Sequence, residues 1–421
     1  MDQTDDEQTI NALQKMASER IKFQIRQPSD TPRIRNLSIS LTMLCNQGCQ
    51  HCWVDASHAM KNELTTSEIL DVLMQARELG AEHVKLTGGE VFTRKDINTL
   101  IKHSLEYGLR VSVETNGLLL KKEHLQEFVD SKEQLQFFIS LDGFKPNTHD
   151  RFRKSPGAYD KTIQTIKQLS EQDFRFSIHT VANKINLHEI IPLYNYMCKL
   201  GAKQHKVILS IHRLGRGRQI QDISLNVEDI IWLVNNLDEV NFWDYRWKTQ
   251  KDPKTVLMLT LPPAFQPLNN LNSFTCGWAI DFCSILADGS VAMCHGSYEQ
   301  EMAIAGNIRE VSLESLWKSS EFFVSARHTE PKSLKGICGN CIVSPACRGL
   351  CRTSAIAEYG EFLAPYPFCQ EMYERGYFPK YMLVDSNKDS TYVALPRSNG
   401  RAIQPTVDIK DITLIKKQLH E

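Results

Sequence analysis

From residue 37 to residue 240 the sequence alternates between short apolar runs and longer amphipathic segments, and this alternation constrains the fold more than any other feature. Six runs have the length and composition of strands, at 37–43, 83–87, 110–114, 135–140, 174–181 and 205–211. Six segments follow them with helical periodicity, at 65–80, 94–107, 122–130, 157–172, 187–200 and 227–240. At the start of the first of these, Thr65 and Glu68 predict a capping box.

Strands that alternate with helices predict an α/β fold with a parallel sheet and right-handed crossovers. Six such units fall short of the eight that close a barrel. We therefore expect an open, partial (β/α)6 barrel whose chemistry lies at the carboxyl ends of its strands.

The remaining segments break this alternation and suggest further divisions of the chain. We expect five parts: an N-terminal extension (1–36), the partial barrel (37–240), a turn-rich connection (241–273), a small cysteine-rich domain held by metal (274–375) and a C-terminal tail (376–421).

Composition and charge exclude several classes of protein. The net charge is −1 and charged residues are 24% of the chain, so no strong field favours nucleic acid or a membrane surface. The first ten residues, "MDQTDDEQTI", are acidic and lack the pattern of a signal peptide, and no apolar run is long enough to span a bilayer. We expect a cytoplasmic protein with reduced thiols, in which clustered cysteines indicate metal before disulfides.

The stretch "TMLCNQGCQHCWVD" after the first strand carries Cys45, Cys49 and Cys52 within eight positions. Thiolates are soft ligands that suit iron–sulfur clusters or zinc, and either site is normally closed by four protein ligands. Three ligands leave one metal position open, which is typical of a reactive site. His51 is a poor candidate for a fourth ligand because it is adjacent to Cys52. Zinc and an incidental group of thiols remain the alternatives.

The CX3CX2C spacing with an aromatic residue next, Trp53, resembles the radical S-adenosylmethionine (SAM) superfamily. The resemblance implies a partial (β/α)6 barrel and a 4Fe–4S cluster on Cys45, Cys49 and Cys52, with Trp53 at the cofactor site. In that family the open iron binds the amino and carboxylate groups of SAM. Reduction, by a donor such as flavodoxin or ferredoxin, cleaves SAM to methionine and a 5′-deoxyadenosyl radical that abstracts a hydrogen atom from the substrate.

Further motifs at strand ends fit the same family. "LTGGE" brings Gly88, Gly89 and Glu90 after the second strand and resembles the motif that holds the methionine amine. By the same resemblance Ser140, in "SLDG", is a ribose contact, and Arg153, in "HDRFRKSPGAY", pairs with the SAM carboxylate.

Each of these residues also has a simpler interpretation. A Gly–Gly pair after a strand is often only a turn, and Arg153 could be a solvated surface arginine. Thr115 and Asp142, in "ETNG" and "SLDG", could simply cap loops. "HRLGRGR" (212–218) resembles the glycine–arginine turn close to the adenine side of the family's pocket.

A second set of eight cysteines follows residue 275: Cys276, Cys283, Cys294, Cys338, Cys341, Cys347, Cys351 and Cys369. The run 338–351 alone would fit a zinc knuckle equally well. The whole order, CX12GX4C, then CX2CX5CX3C, then a last cysteine, resembles the SPASM extension of radical SAM enzymes.

By family pattern the extension binds two auxiliary 4Fe–4S clusters, which makes three clusters in all. One would take Cys276, Cys283, Cys294 and Cys351; the other would take Cys338, Cys341, Cys347 and Cys369. Full ligation by protein implies that the clusters serve electron transfer or a structural role rather than direct substrate binding. A cluster near the active site can accept the electron that remains on the substrate after hydrogen abstraction.

Two more residues invite a chemical role. His295 follows Cys294, where the sulfatase-maturing branch carries an acid, so we expect a different activity and regard His295 as a candidate base. The simpler alternative is a surface histidine. Cys198 fits a helix pattern, and we expect a small buried side chain rather than a hydrogen-atom donor.

The substrate is less constrained than the reaction class. Our first hypothesis is a peptide maturase that crosslinks or oxidises a ribosomally made peptide; the second is an enzyme that acts on a sugar or a cofactor precursor. Only 36 residues precede the first strand, so we expect any leader peptide to be bound by a separate protein or by the barrel mouth. Lys203, Lys206, Arg213, Arg216 and Arg218 could form a basic rim there or be a solvated face. A zinc- or cluster-binding scaffold is the non-enzymatic alternative.

Overall fold

A computed structural model of the chain describes residues 3–22, 31–237, 255–266 and 276–392. These residues fall into two compact units. The sheet unit contains the described residues 31–237, 255–260 and 277–327, and the cysteine-rich unit contains 3–22, 261–266, 276 and 328–392. This division differs from the predicted segments, because 277–327 belong with the sheet and the N-terminal helix belongs with the C-terminal cysteines.

The sheet unit is built on one ten-stranded sheet in the order β10-β9-β8-β1-β2-β3-β4-β5-β6-β7. The strands are β1 (Asn36–Ser40), β2 (His83–Thr87), β3 (Arg110–Thr115), β4 (Leu135–Ser140), β5 (Arg175–Val181), β6 (Gln204–Ile208), β7 (Val256–Leu259), β8 (Phe282–Ile285), β9 (Ser290–Ala292) and β10 (Ile304–Asn307). Strands β1 to β7 pair in parallel, β8 joins β1 in parallel, and β9 and β10 are antiparallel. The α/β fold with a partial, barrel-like parallel sheet is confirmed.

Strand β7 corrects the prediction for 241–273. That segment was expected to be a turn-rich connection, yet Val256–Leu259 pairs with β6 as a seventh parallel strand. The run is only four residues long and is followed by the prolines that dominate the pattern of the segment. Residues 241–254 and 267–273 lie outside the described residues.

The helices of the sheet unit are α2 (Thr66–Glu78), α3 (Ile97–Glu106), α4 (Lys122–Gln126), α5 (Pro146–Arg153), α6 (Ala158–Glu171), α7 (Ile190–Lys199), α8 (Val227–Asn235), α9 (Leu313–Ser319) and α10 (Glu321–Arg327). The predicted capping box is confirmed, because Thr65 N–H donates to Glu68 Oε2 at 2.8 Å and Glu68 N–H donates to Thr65 Oγ1 at 3.3 Å.

Burial follows the layering that parallel sheets require. The residues of β1 from Leu37 to Ser40 are all buried, as expected for a strand covered on both faces. The register of β2 to β5 puts Lys85, Glu114 and His179 on one face of the sheet. Polar side chains therefore occupy a face inside the unit, and this face contributes to the site described below.

The cysteine-rich unit contains α1 (Gln3–Lys22), α11 (Ser344–Cys347), α12 (Arg352–Tyr359) and α13 (Pro367–Glu374). Helix α1 belongs to its core, since Ala17 and Ile21 are buried in one apolar cluster with the cysteines of 338–369. Gln14 Nε2 also donates to Leu383 O at 2.9 Å. Residues near both ends of the described chain thus support the cysteine-rich core.

All twelve cysteines are free thiols, in agreement with the expectation that the clusters are not disulfides. Within the described ranges, no helix has the length and apolar character needed to cross a membrane.

Ala17→Asp should unfold the cysteine-rich unit more easily. The new carboxylate would be buried without a partner in an apolar cluster, at a cost of at least about 3 kcal/mol. We expect a lower denaturation midpoint and a loss of bound iron. Ser18→Asp, at the exposed neighbouring position, is the matched control. Equal midpoints for the two variants would contradict the packing of α1.

Candidate functional site

The loop with Cys45, Cys49 and Cys52 begins directly after β1, and its first turn is fixed by Glu63. Met43 N–H donates to Glu63 Oε1 at 2.7 Å, and Thr42 Oγ1 donates to the same oxygen at 3.1 Å. Leu44 N–H then donates to Thr42 Oγ1 at 3.0 Å. The cysteines therefore start from a defined backbone conformation at the carboxyl end of the first strand.

Gly88 and Gly89 hold the start of this loop by close backbone contact. Gly89 N–H donates to Thr42 O at 2.7 Å, and Glu90 N–H donates to Leu44 O at 2.8 Å. A Cβ on Gly88 would collide with Thr42 O, and a Cβ on Gly89 would collide with Leu44 O. Because they lack a Cβ, the two glycines let the backbone after β2 approach the cysteine loop closely.

Arg216 ties the middle and the end of the loop together. Its Nε donates to Cys49 O at 2.7 Å, its backbone N–H donates to Cys52 O at 2.9 Å, and its Nη1 donates to Asp55 Oδ1 at 2.6 Å. Gly215 makes this contact possible, because a Cβ there would meet the Cys52 carbonyl oxygen. The "GRGR" turn thus positions the backbone of the cysteine loop.

Arg153 is buried beside Cys49 and is not a solvated surface residue. Its Nε and Nη2 lie 2.8 and 2.7 Å from Asp142 Oδ2, and its Nη1 lies 3.1 Å from Gln47 Oε1 and 3.8 Å from Cys49 Sγ. Burial would raise the pKa of Asp142, but the charge of Arg153 outweighs it and lowers the pKa below its ordinary value. The buried charge is therefore paired.

The structural role of Asp142 is larger than the sequence indicated, where the residue was interpreted as a possible loop cap. Besides pairing with Arg153, its Oδ1 accepts from Val181 N–H at 2.7 Å. His51 Nε2 lies 3.6 Å from Asp142 Oδ2, and the His51 ring stacks on Phe152 at 4.2 Å. His51 therefore orients the loop against α5.

Glu90 is fully buried with three donors on its carboxylate. Thr115 Oγ1 donates to Oε1 at 2.6 Å, Phe92 N–H donates to Oε1 at 3.1 Å, and Asn116 N–H donates to Oε2 at 2.8 Å. Burial nevertheless raises the pKa of Glu90. A carboxylate in this setting is suited to an additional cationic partner such as an ammonium group. Thr115 is thus a functional neighbour of Glu90.

The surroundings of the three cysteines disfavour free thiolates and suit thiolates that are bound to a metal cluster. Burial raises the pKa of Cys45 to about 11 and raises that of Cys49, so both remain protonated near neutral pH. A thiolate at Cys49 or Cys52 would raise the pKa of Cys45 further, which reflects their proximity. Coordination to a metal removes the proton of each thiol outright and offsets the free-energy cost of burying the thiolate charge.

Trp53 is held between two histidines. Its ring stacks on His212 at 4.9 Å and meets His295 edge-on at 4.5 Å, and it lies over Gly296. Ser140 is the last residue of β4, so both predicted cofactor contacts lie at the carboxyl side of the sheet. His295 is 9% exposed and its Nδ1 has no hydrogen-bond partner in the structure, so the surface-histidine alternative is wrong.

A charged pair on the inner face of the sheet was not predicted. Lys85 Nζ lies 3.3 Å from Glu114 Oε1, and Thr87 Oγ1 donates to Glu114 Oε2 at 2.7 Å. Burial would raise the pKa of Glu114, but the charge of Lys85 and the hydrogen bond from Thr87 oppose it, and the pKa lies well below its ordinary value. Burial lowers the pKa of His179 and of His295 to about 3, so both are neutral. The sequence did carry a signal for this polar face, namely the polar residues at alternate positions of "HVKLT", "RVSVE" and "FSIHT".

The predicted basic rim is partly neutralised. Arg216 is committed to Asp55 and to loop carbonyls, and Arg218 forms an ion pair with Glu299. Lys206 lies opposite His179 in the β5–β6 register, and its charge helps to lower the pKa of His295. Arg216 and Arg218 therefore serve local contacts, and the basic rim itself stays a prediction.

In the cysteine-rich unit, four of the predicted ligands line one cavity: Cys338, Cys341, Cys347 and Cys369. The cavity is otherwise largely apolar, with Ile337, Val343 and Phe378 in its wall. Burial raises the pKa of all four thiols, and that of Cys347 to about 12. These residues fit a buried iron–sulfur cluster, because binding to iron deprotonates the thiols despite their raised pKa values.

Among the described residues, no three His, Cys, Asp or Glu side chains converge closely enough to hold one metal ion. Each iron of a cubane takes a different cysteine, so the ligands of such a cluster stand around a cavity instead.

The other predicted set draws on both units. Cys283 is fully buried in β8, and Cys294 Sγ lies 3.9 Å from Ser297 Oγ. In the cysteine-rich unit, Ser354 Oγ donates to Cys351 Sγ at 3.2 Å. The assignment of Cys276, Cys283, Cys294 and Cys351 to one cluster stays a prediction.

Two family models match the chain. The radical SAM superfamily model matches residues 39–197, and the SPASM iron–sulfur cluster-binding domain model matches residues 276–342. The chain is 30% identical over 360 residues to the AdoMet-dependent heme synthase of Methanosarcina barkeri, a match that covers 81% of this chain and 97% of that protein. It is 26% identical over 342 residues to the mycofactocin maturase MftC of Mycolicibacterium smegmatis, with 80% and 82% covered.

The fold resembles that of Streptococcus suis SuiB. The crystal structure of SuiB bound to S-adenosylmethionine superposes with a TM-score of 0.64 at 18% identity and covers 79% of this chain and 76% of SuiB. The structure of SuiB bound to its precursor peptide SuiA gives 0.64 at 19% identity, with 78% and 74% covered. At this identity the likeness concerns the fold alone.

Gly89→Ala should displace the cysteine loop, because its Cβ meets the Leu44 carbonyl and neither backbone can yield without breaking the Gly89–Thr42 hydrogen bond. We expect at least a tenfold loss of SAM cleavage and fewer bound irons. The matched control is Gly48→Ala within the loop itself, where the nearest atom to a new Cβ is 3.8 Å away. A fully active Gly89→Ala variant would refute this backbone constraint.

Proposed function

The chain belongs to the radical SAM superfamily and carries a SPASM iron–sulfur cluster-binding domain, and from this premise we propose that it oxidises a small cofactor precursor of the tetrapyrrole class. When bound, the cluster and SAM together supply a carbon-centred radical that removes a hydrogen atom from the substrate. The protein residues must bind SAM, exclude water and hold the substrate beside it.

Each part of the cofactor site has an assigned residue. Cys45, Cys49 and Cys52 hold the cluster, in a loop fixed by Gly88–Gly89 and Arg216. Glu90 receives the SAM ammonium, since its buried carboxylate lacks a cationic partner among its three described donors. Ser140 and Trp53 contribute the ribose and aromatic contacts that the family pattern assigns.

Arg153 takes a modified role in this proposal. The family pattern pairs it with the SAM carboxylate, and its Nη1 is directed to Gln47 and Cys49 while Nε and Nη2 bind Asp142. An anion beside Cys49 can share Nη1, whereas Asp142 retains the other face of the guanidinium. Arg153 then couples the SAM carboxylate to the position of the cysteine loop.

The similarity to the AdoMet-dependent heme synthase carries the choice of substrate class. That match covers 97% of the relative and 81% of this chain. The inner face of the sheet supports a substrate with polar groups, because neutral His179 and the Lys85–Glu114 pair lie on it.

A ribosomally made peptide is the second candidate. Its support is the similarity to a mycofactocin maturase and the fold shared with SuiB, which was crystallised with a precursor peptide. In that case either a separate leader-binding protein or the barrel mouth would bind the leader. In either case an electron donor such as flavodoxin or ferredoxin is required.

The deciding experiment is anaerobic reconstitution with iron, sulfide, SAM and a reductant. An iron tetrapyrrole with carboxylate side chains is offered in one reaction, and short peptides encoded near the gene are offered in another. We expect mass loss from the tetrapyrrole with 5′-deoxyadenosine formed in proportion. If a peptide loses mass in proportion to the 5′-deoxyadenosine formed while the tetrapyrrole is unchanged, the tetrapyrrole proposal is wrong and the peptide is the substrate.

Cys49→Ala and Cys347→Ala should separate the roles of the two cysteine groups. Cys49→Ala removes a ligand beside Arg153 and should abolish SAM cleavage. Cys347→Ala alters the cavity in the cysteine-rich unit and should leave some 5′-deoxyadenosine formation without product. The measurement is 5′-deoxyadenosine and product in the same reaction, with Cys198→Ala, a half-buried cysteine of α7, as the control. Identical behaviour of the first two variants, with the N-terminal cluster intact, would reject this division.

A further inference from the structure

Arg352 is a buried arginine whose charge has no carboxylate beside it. Its side chain is 1% exposed at the start of α12, directly after Cys351. Its Nη1 donates to Phe362 O at 2.9 Å and to Ala364 O at 2.6 Å, and its Nη2 donates to Gly349 O. The buried Nε has no partner. Among the described residues, no Asp or Glu forms an ion pair with this guanidinium.

Arg352 lies directly behind the wall of the four-cysteine cavity, because its Nη2 donates to the carbonyl oxygen of Gly349, a residue that lines the cavity. Gly349 lines that cavity with a positive φ of 73°, and a Cβ on it would collide with the guanidinium. Burial raises the pKa of the Cys338 thiol, and the positive charge of Arg352 opposes the rise. The same charge acts on Cys347 and Cys369.

A buried positive charge without a counter-charge is costly by several kcal/mol. Arg153, a buried arginine beside Cys49, is by contrast balanced by Asp142. In the structure, the guanidinium of Arg352 donates to three backbone carbonyls, which carry no formal charge. The site therefore lacks negative charge, and a cluster bound by four thiolates would supply it.

We propose that Arg352 is the positioning residue that balances the charge of the cluster on Cys338, Cys341, Cys347 and Cys369 and raises its reduction potential. This inference rests on the SPASM cluster assignment in the proposed function. Reduction adds one negative charge, so a fixed cation in a low-dielectric cavity stabilises the reduced form more than the oxidised form. Arg352 thereby favours transfer of an electron to this site.

The test is a redox titration followed by electron paramagnetic resonance on the full chain. Cys45, Cys49 and Cys52 are changed to Ala so that only the auxiliary clusters are observed, and Cys347→Ala in the same background identifies the transition of interest. Arg352→Gln should lower the equilibrium constant for reduction at least tenfold, which is a shift of about 59 mV to more negative potential for one electron. Arg352→Lys, which keeps the charge, should retain most of the original potential.

Arg327→Gln is the matched control, because Arg327 is also buried and donates to the carbonyls of Ala279 and Trp317. It should leave the transition unchanged. An unchanged transition in Arg352→Gln with full iron content overturns the proposal, as does loss of the cluster from the Lys and Gln variants alike. Loss of iron from the Gln variant alone supports it. If Cys347→Ala removes no iron, the cluster assignment itself fails, which is a separate result.

Discussion

The contact between the Gly88–Gly89 backbone and the segment Thr42–Leu44 is the constraint on which the N-terminal site depends. Two hydrogen bonds between these backbones leave no room for a Cβ, so the chain after β2 fixes where the chain after β1 turns. That turn determines where the three cysteines begin, and the next residue, Glu90, is placed beside them with its carboxylate already held by Thr115 and Asn116. One close approach thus positions both the cluster ligands and the proposed ammonium site.

The two units differ in how their buried positive charges are balanced. In the sheet unit, Arg153 is paired with Asp142 and Lys85 with Glu114, so these cations are balanced before any cofactor binds. In the cysteine-rich unit, Arg352 bonds to carbonyls and lies near protonated thiols. The protein itself therefore balances the charges of the first site, whereas the charge of Arg352 is left for the proposed cluster to balance.

Sequence periodicity predicted the six strands and six helices of the partial barrel to within a few residues, because alternating apolar runs specify burial on a parallel sheet. It missed β7, which is four residues long, and it did not place 277–327 with the sheet. Strand pairing of β8 with β1 joins residues far apart in the chain, and local propensity carries no information about such a pairing.

The sequence by itself determined the reaction class through its resemblance to the radical SAM superfamily, which the cysteine order carries together with the glycine and acidic motifs; cysteine spacing alone left zinc as an alternative. Only the tertiary structure decided how individual polar residues are used. It buried Arg153 against Asp142, turned Arg216 onto the cysteine loop, and brought Lys85, Glu114 and His179 to one face. These roles depend on contacts between distant segments, where burial and neighbouring charge, rather than residue type, set what each side chain does.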